Sequence, residues 1–291
     1  MQTTGTLPTP DLSERHTQTS SGALGAATAV PFSASGGLAR LRTIRTVLDE
    51  LRETPDDLVL DRGHQFLAEV SEPSALGALL EAVRSAPEAL RSVAAQSYRH
   101  VNHFDKIVLI GNPDPGAFRL TLHSWTPPYE ESEVSEETIH DHRFNFWSAI
   151  LFGTQLSLNY VEHPNGAPYR KYKYSPENRD VQFSEFYEYQ GEVRLLPHSI
   201  DTRHEGSQYY LSAGETIHQV LLPLEAPMAS LVLRGPRLHS YSNCFNTSYP
   251  VQGTAFENAM FSPEKLDAKL EAVCSQLAGR VQRDVRGGRT R

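Results

Sequence analysis

The sequence has 291 residues, of which 39% are hydrophobic and 21% are charged, and its mean hydropathy is −0.43. This apolar content is enough for a core in one large domain or two small ones. The 35 acidic and 27 basic residues give a formal net charge of −8 without a block of Lys or Arg, which argues against nucleic-acid or anionic-membrane partners. The chain has only two cysteines, Cys244 and Cys274, which are too few for a disulfide framework or a thiolate zinc cluster. With no membrane-length apolar run and no secretory signal pattern, we expect a cytoplasmic protein.

The first 97 residues divide into an aperiodic part and a helical part. Residues 1–36 are dominated by Thr, Ser, Ala, Gly and Pro, so we predict a disordered tail. Residues 37–97 carry a helical pattern that we expect to pack on the rest of the chain, with breaks at Pro55 and Pro87. The apolar stripes are formed by Leu41, Ile44, Leu48 and Leu51 in a first helix, and by Leu76, Leu79, Leu80, Val83, Leu90 and Val93 in a second helical region from about Ser71 to Gln96.

Residues 98–250 contain short runs rich in β-branched and aromatic residues, separated by Gly, Pro and Asn turns. Closely spaced strands without alternating helices predict an antiparallel sandwich or barrel. The predicted strands are Lys106–Ile110, Phe118–Ser124, Phe144–Phe152, Gln155–Val161, Tyr169–Tyr174, Glu185–Tyr189, Gly191–Pro197, Gln208–Ser212, His218–Pro223, Ala229–Arg234 and Arg237–Tyr241.

Residues 251–291 are predicted to form one C-terminal helix and a basic tail. Ser262 suits the N-cap and Pro263 the first helical position. The apolar stripe consists of Leu266, Leu270, Val273 and Leu277, and the tail begins after Gly279.

Three histidines form the most informative pattern in the sequence. His140 and His142 are two residues apart, so on a strand they point to the same face. About 75 residues later, a Gly-containing turn leads to His218 at the start of another strand. Three imidazoles from neighbouring strands can hold one metal ion on a triangular face, which suits Fe(II), Zn, Ni or Cu. We therefore predict His140, His142 and His218 as metal ligands.

This pattern resembles the cupin superfamily, whose first motif is His-x-His followed by Glu and Gly and whose second motif contains a single His. Here the position of the Glu falls at Phe146 or Trp147, neither of which can bind a metal. That departure resembles the cysteine dioxygenase-like thiol dioxygenases, which lack the Glu and bind iron with three histidines. The fold that this resemblance implies is a mainly β, jelly-roll-like cupin barrel with N-terminal helices and one C-terminal helix.

Further segments between residues 98 and 243 are similar to the same family. They are the strand Phe118–Trp125 before the first motif, Tyr209-Tyr210-Leu211 and Gly214–Val220 around the second, and Arg237–Tyr241, which resembles its Ser-x-His-x-Tyr with Arg in place of Ser. Arg99 lies where that family carries an Arg that binds the substrate carboxylate. A Cys–Tyr crosslink known in the family is excluded because Trp147 occupies the position of the Cys.

The resemblance implies a function and a role for each of these residues. It implies an Fe(II) enzyme that uses O2 as co-substrate and transfers both oxygen atoms to the sulfur of a small thiol, giving a sulfinate. Tyr241 would donate a hydrogen bond to substrate or bound oxygen, His239 would orient Tyr241, and Arg99 would pair with a carboxylate. Trp147 and Tyr210 are the further candidate substrate contacts.

Two other functions remain open at this stage. One is a non-thiol metal-dependent cupin enzyme that tailors an amino-acid-derived intermediate, which the replacement of the motif Ser by Arg237 favours. The other is a non-catalytic module that holds zinc in the same three histidines. We expect a small-molecule substrate and a monomer or homodimer; the role of residues 163–207 stays open.

Overall fold

The computed structural model describes residues 37–175, 187–247 and 259–287. The predicted disordered tail at residues 1–36 and the end of the basic tail lie outside these ranges. Four helices precede the strands: α1 (Gly37–Arg52), α2 (Asp56–Val70), α3 (Pro73–Ser85) and α4 (Pro87–Ala94). A short α5 (Glu131–Ser135) lies between strands, and α6 (Pro263–Gly287) ends the described chain.

The predicted apolar stripes of these helices are buried except at Leu41 and Leu90, which are half-buried. The stripe of α3, from Leu76 to Val83, and that of α6, from Leu266 to Leu277, are at most 2% exposed. Ser262 acts as predicted at the start of α6, because its Oγ accepts a hydrogen bond of 3.2 Å from the backbone N–H of Lys265. The helix continues beyond Gly279 to Gly287, further than the sequence pattern indicated.

Helix α2 was not predicted. Its buried residues are Gly63, Phe66, Leu67 and Val70, which are spaced as on one helix face. The pattern was obscured because Leu58 and Leu60 at its start are exposed and a glycine begins the stripe.

Within the described ranges, eleven strands form two antiparallel sheets. Sheet 1 has six strands in the order β1-β2-β3-β10-β5-β8, and sheet 2 has five in the order β11-β4-β9-β6-β7, with a further pairing of β11 to β6. The strands are β1 (Tyr98–Arg99), β2 (Asp105–Ile110), β3 (Arg119–Trp125), β4 (Ile139–His140), β5 (Phe144–Phe152), β6 (Thr154–Tyr174), β7 (Tyr187–His204), β8 (Gln208–Leu211), β9 (Ile217–Leu221), β10 (Met228–Arg237) and β11 (Ser242–Asn246).

The strands differ from the predicted ones in two regions. The predicted strands Gln155–Val161 and Tyr169–Tyr174 are parts of β6, and Gly191–Pro197 is part of β7. The predicted strand Glu185–Tyr189 is seen from Tyr187, where β7 begins, and its first two residues lie outside the described residues. The pairing of β6 with β7 shifts register at three points.

Residues 238–241, predicted as strand, form an irregular turn in which Leu238 and His239 donate backbone hydrogen bonds to the carbonyl of Arg143. The last strand, β11, begins only after this turn.

The helices cover one face of sheet 1. Helices α2, α4 and α6 contact strands β5, β10 and β2, and α3 packs against α1 and α6. Both faces of sheet 1 are therefore covered, one by helices and one by sheet 2, and the site described next lies on the face without helices. No helix among the described residues is both long and apolar enough to cross a membrane.

Candidate metal centre

Three histidine side chains meet between the two sheets. His140 ends β4 and lies directly opposite His218 of β9, so both rings are on one face of sheet 2. The backbone carbonyl of His142 accepts a hydrogen bond of 2.7 Å from the backbone N–H of Gly214. This bond ties the turn before β9 to the segment after β4. Gly214 has a φ of 71°, a left-handed conformation that favours glycine here.

The distances between the rings fit one shared ion. The ligand-capable atoms of His140, His142 and His218 all lie within 4.8 Å of one another. Nε2 of His142 and Nε2 of His218 are 2.9 Å apart, and two metal–nitrogen bonds of about 2.0–2.1 Å at a right angle would separate their nitrogens by about that distance. Nδ1 of His140 donates a hydrogen bond of 2.7 Å to the Thr138 carbonyl, which leaves its Nε2 lone pair for the ion.

The environment keeps these imidazoles neutral. Burial lowers the pKa of His142 and of His218 well below the ordinary histidine value, and neighbouring histidine charges lower it further. Burial also lowers the pKa of His140, although the Thr138 carbonyl and the Asp141 carboxylate oppose the shift. Neutral imidazole is the form that binds a metal, so the donor set is ready for an ion at neutral pH.

No carboxylate or thiolate joins the three histidines within the described ranges of the chain. Of the two residues at the position of the Glu in the cupin motif, Phe146 points into the site, with its ring centroid 4.7 Å from that of His142. The ring of Phe144 lies 5.5 Å from the same imidazole. Two aromatic rings therefore line this side of the cluster, where neither can act as a ligand.

Sheet 1 faces the metal centre with a wall of aromatic and histidine rings. The ring centroids of His100 and Phe104 are 4.5 Å apart, and those of Phe104 and His123 are 4.4 Å apart. Trp125 lies 4.8 Å from Phe104. Burial, followed by the charge of Lys106, lowers the pKa of both histidines well below the ordinary value. No site role was predicted for His100 or His123. The spacing of two residues between His123 and Trp125 on β3 would have indicated that both point to the same face of the strand.

Sheet 2 contributes a polar wall from β6 and β7. Asn159 lies opposite His218 in the pairing of β6 with β9, and it donates a hydrogen bond of 3.0 Å to Asp201. Asp201 also pairs with Arg203 at 2.6 Å. The guanidinium of Arg203 stacks 4.0 Å from the ring centroid of Tyr209. Arg203 and Tyr209 are therefore parts of the site region that the sequence analysis missed.

Trp147 and Tyr210, predicted as substrate contacts, lie on the opposite face of sheet 1 from the metal centre. The two residues are paired across β5 and β8, with their ring centroids 5.0 Å apart. Nε1 of Trp147 donates a hydrogen bond of 3.0 Å to the Leu60 carbonyl in α2. Because neighbouring strand residues point to opposite faces, Phe146 and Tyr209 face the site instead. The predicted role of Trp147 and Tyr210 as substrate contacts is therefore replaced by one in packing, on the face of sheet 1 that the helices cover.

Arg99, predicted to bind a substrate carboxylate, is engaged by carboxylates of the protein. Its guanidinium is 3.2 Å from Glu133 of α5 and 3.8 Å from Asp105 of β2. His103 joins this group through Glu133 at 3.1 Å. Arg99 thus belongs to a network of ion pairs within the protein.

His239 and Tyr241 are both exposed, and the ring of His239 lies beside Gly214, whose backbone N–H donates to the carbonyl of His142. Tyr241 is 37% exposed, and Nζ of Lys173 is 4.4 Å from its ring centroid. Lys173 is paired with Asn243, so it lies on the other face of sheet 2 from Cys244, which is paired with His140. Tyr241 is therefore on the outer side of sheet 2, on the opposite face from His140.

Comparison with known proteins gives similarity of fold only. The sequence matches no protein-family model and no curated protein. Its structure matches the DMSP lyase DddQ from Ruegeria pomeroyi DSS-3 with a TM-score of 0.29 and 16% identity, over 52% of this chain and 54% of that one. A structure of the DMSP lyases RdDddP and RnDddQII matches with a TM-score of 0.31 and 14% identity, over 69% and 94%. A cupin-2 domain protein from Shewanella frigidimarina matches with a TM-score of 0.23 and 10% identity, over 45% and 79%.

The architecture itself agrees with the fold predicted from the sequence. The strands form two facing antiparallel sheets, helices precede them and one helix follows, and the His-x-His segment and the distant His meet between the sheets. The chain thus has the mainly β, jelly-roll-like architecture that the sequence predicted, with a three-histidine cluster suited to a metal ion.

Proposed function

We propose that this protein is a non-heme Fe(II) oxygenase that oxidises a small polar substrate with O2, and that oxidation of a thiol to a sulfinate is its leading reaction. The observation that carries the proposal is the cluster of His140, His142 and His218, three neutral imidazoles without an acidic ligand among the described residues. Zn, Ni and Cu also fit these donors, so the choice of iron is part of the proposal.

The charge of the donor set explains why a thiol is favoured. Three neutral ligands leave the full divalent charge on a bound ion, and that charge favours an anionic donor such as a thiolate. The protein contributes the surroundings of this donor. The Thr138 carbonyl fixes the ring of His140, and the rings of Phe144 and Phe146 lie against His142. In the overall reaction, both atoms of one O2 molecule are added to the substrate sulfur, so no external reductant is required.

A non-thiol metal-dependent reaction is the second candidate, and the positions of three residues favour it. Tyr241 and His239 lie at the surface, and Arg99 is paired with Glu133 and Asp105. The residues that would hold a thiol substrate by resemblance are thus exposed or already paired. An enzyme with this arrangement would recognise its substrate through other groups, such as Arg203, Tyr209 and the histidines of sheet 1.

The metal site is tested first by removing one ligand. We expect His218→Ala to reduce the metal content of freshly purified protein from about one ion per chain to near zero, since two imidazoles hold a divalent ion much more weakly than three. The exposed His198 provides a matched control, and His198→Ala should retain the metal. Metal content would be measured by elemental analysis, and the fold by circular dichroism. Equal metal content in both variants would contradict the proposed ligands.

The reaction is tested with iron-loaded protein and three thiols. Oxygen uptake would be measured after adding cysteine, cysteamine or 3-mercaptopropionate, and the products would be analysed for sulfinate. Uptake of one O2 per sulfinate formed supports thiol oxidation. Metal binding without oxygen uptake with any of these thiols would reject the leading reaction in favour of the non-thiol enzyme or a zinc-binding module without catalysis.

A further inference from the structure

Lys106 of β2 faces the candidate metal centre. In the strand pairing it lies directly opposite Tyr98 of β1 and His123 of β3. Directly opposed residues share a face of the sheet, so the lysine lies on the face that meets the three histidines. Its charge also contributes to lowering the pKa of His142, one of the candidate ligands. Lys106 is therefore within electrostatic range of the site.

Lys106 has no acidic partner within the described part of the chain. Its single contact with another charged or aromatic group is to the ring of Tyr98, 5.9 Å from Nζ to the centroid. The adjacent Asp105 points the other way, where its carboxylate is 2.6 Å from Nζ of Lys269 and 3.8 Å from Arg99. A half-buried ammonium group without a counter-ion costs free energy, and a bound anion would remove that cost.

The same wall also offers donors that have no acceptor. Trp125 follows two residues after His123 on β3 and so points to the same side. Its Nε1 is buried and has no hydrogen-bond partner in the part of the chain that the structure describes, and the same holds for Oη of the neighbouring Tyr129. An indole N–H can only donate, and a phenol readily donates. Together with Lys106 these groups suit a ligand that carries acceptor oxygens.

The acidic side chain on the facing sheet is already neutralised. Asp201 of β7 pairs with Arg203 at 2.6 Å and accepts a hydrogen bond from Asn159. It therefore cannot serve as the counter-ion of Lys106 without giving up these partners. Among the described residues, Lys106 thus has no acidic partner from its own strand or from Asp201 of the facing sheet.

We propose that Lys106 is a substrate-binding residue that pairs with an anionic group, a carboxylate, of a molecule whose other end is held by the metal. This inference rests on the proposed function, because it requires a metal at the three histidines. It assigns to β2 the charge recognition that the sequence analysis assigned to Arg99. The substrate class is thus a small molecule with a metal-binding group at one end and a carboxylate at the other.

Binding to Co(II)-loaded protein tests this without turnover. The protein would be titrated with 3-mercaptopropionate, 2-mercaptoethanol and cysteamine, which carry a negative, a neutral and a positive end group. Binding would be followed by the thiolate-to-cobalt absorption band. The wild type should bind 3-mercaptopropionate at least tenfold more tightly than 2-mercaptoethanol. Lys106→Met, which keeps the length of the side chain, should reduce this ratio to about one and leave the affinity for 2-mercaptoethanol unchanged. Lys106→Arg should retain the preference, because it keeps the charge.

The possible outcomes separate this inference from the proposed function. Co(II) content would be measured for every variant, together with the circular dichroism spectrum. Wild-type protein that takes up no Co(II) would overturn the proposed metal site and this inference with it. Protein that takes up Co(II), but either fails to bind 3-mercaptopropionate or prefers it equally in Lys106→Met, would overturn the role of Lys106 alone. In that case the metal site would stand.

Discussion

Asp141 lies between two candidate ligands and serves a different purpose from theirs. Its Oδ1 accepts a hydrogen bond of 2.6 Å from the backbone N–H of Asn243, and its Oδ2 accepts one from the side-chain amide of the same residue. Its own backbone N–H donates to the Asn243 carbonyl at 3.0 Å. The residue is 4% exposed, so these bonds are shielded from water. They attach the His-x-His segment to β11 and thereby fix the directions of both imidazoles.

Replacement of this carboxylate should affect stability and metal binding together. In Asp141→Asn an amide NH2 would face one of two N–H donors, so one charge-assisted hydrogen bond is lost. We expect the free energy of unfolding in urea to fall by about 1.5–3 kcal/mol, and the metal dissociation constant to rise by roughly tenfold. Asp49→Asn, at an exposed site on α1, is the control and should change neither quantity. A normal metal affinity in Asp141→Asn would show that the imidazoles do not depend on this support.

At the scale of single strands, the sequence predicted β5 as Phe144–Phe152, and the structure has the same bounds. It did not predict which side chains face the site. Alternation assigns faces only where one face is polar, and β5 is apolar on both because helices cover one side and the barrel interior the other. Trp147 and Tyr210 were therefore taken for site residues although Phe146 and Tyr209 face the histidines.

The three candidate ligands could be predicted because their geometry is local. A spacing of two residues places His140 and His142 on one side of an extended segment whatever the rest of the fold does. The inclusion of Lys106 and His123 in the same region depends on the register of β2 against β3, which pairs them directly. Register between strands is set by packing over the whole sheet, so the sequence pattern alone did not contain this information.

The docking of α2 on sheet 1 depends on one close approach of backbone to an aromatic ring. A Cβ added at Gly63 would lie 2.5 Å from Cε2 of Trp147. The indole has little room to move, because it is 2% exposed and its N–H donates a hydrogen bond to the Leu60 carbonyl. We expect Gly63→Ala to lower the free energy of unfolding by about 1–3 kcal/mol through overpacking.

A second glycine within a helix provides the control for this prediction. A Cβ at Gly77 of α3 would meet no atom within 4 Å. Gly77→Ala should therefore raise the free energy of unfolding by about 0.5–1 kcal/mol, since alanine favours the helix. Both variants would be measured by urea unfolding. Equal effects of the two substitutions would mean that α2 is not held by this contact.

At the scale of the whole molecule, the fold places five histidines between the two sheets in environments that oppose their protonation. Burial is the largest cause of a lowered pKa at each of them, and the residues are His100, His123, His140, His142 and His218. Two of them, on β3 and beside β1, belong to sheet 1, and the other three form the candidate metal centre. The barrel interior is thus built to hold neutral imidazoles, which ties its stability to pH.

Metal-free protein should consequently lose stability as the pH falls below about 6.5, the ordinary histidine pKa. Below that value the unfolded chain binds protons that the folded chain still excludes, and the unfolding free energy decreases by up to about 1.4 kcal/mol per pH unit for each such histidine. Urea unfolding between pH 7.5 and 5 would measure the slope. His123→Gln should reduce the slope by about 1.4 kcal/mol per pH unit, the contribution of one proton. His198→Gln, at an exposed site, is the control and should leave the slope unchanged. An unaltered slope in His123→Gln would mean that this imidazole is protonated as readily in the folded protein as in the unfolded chain.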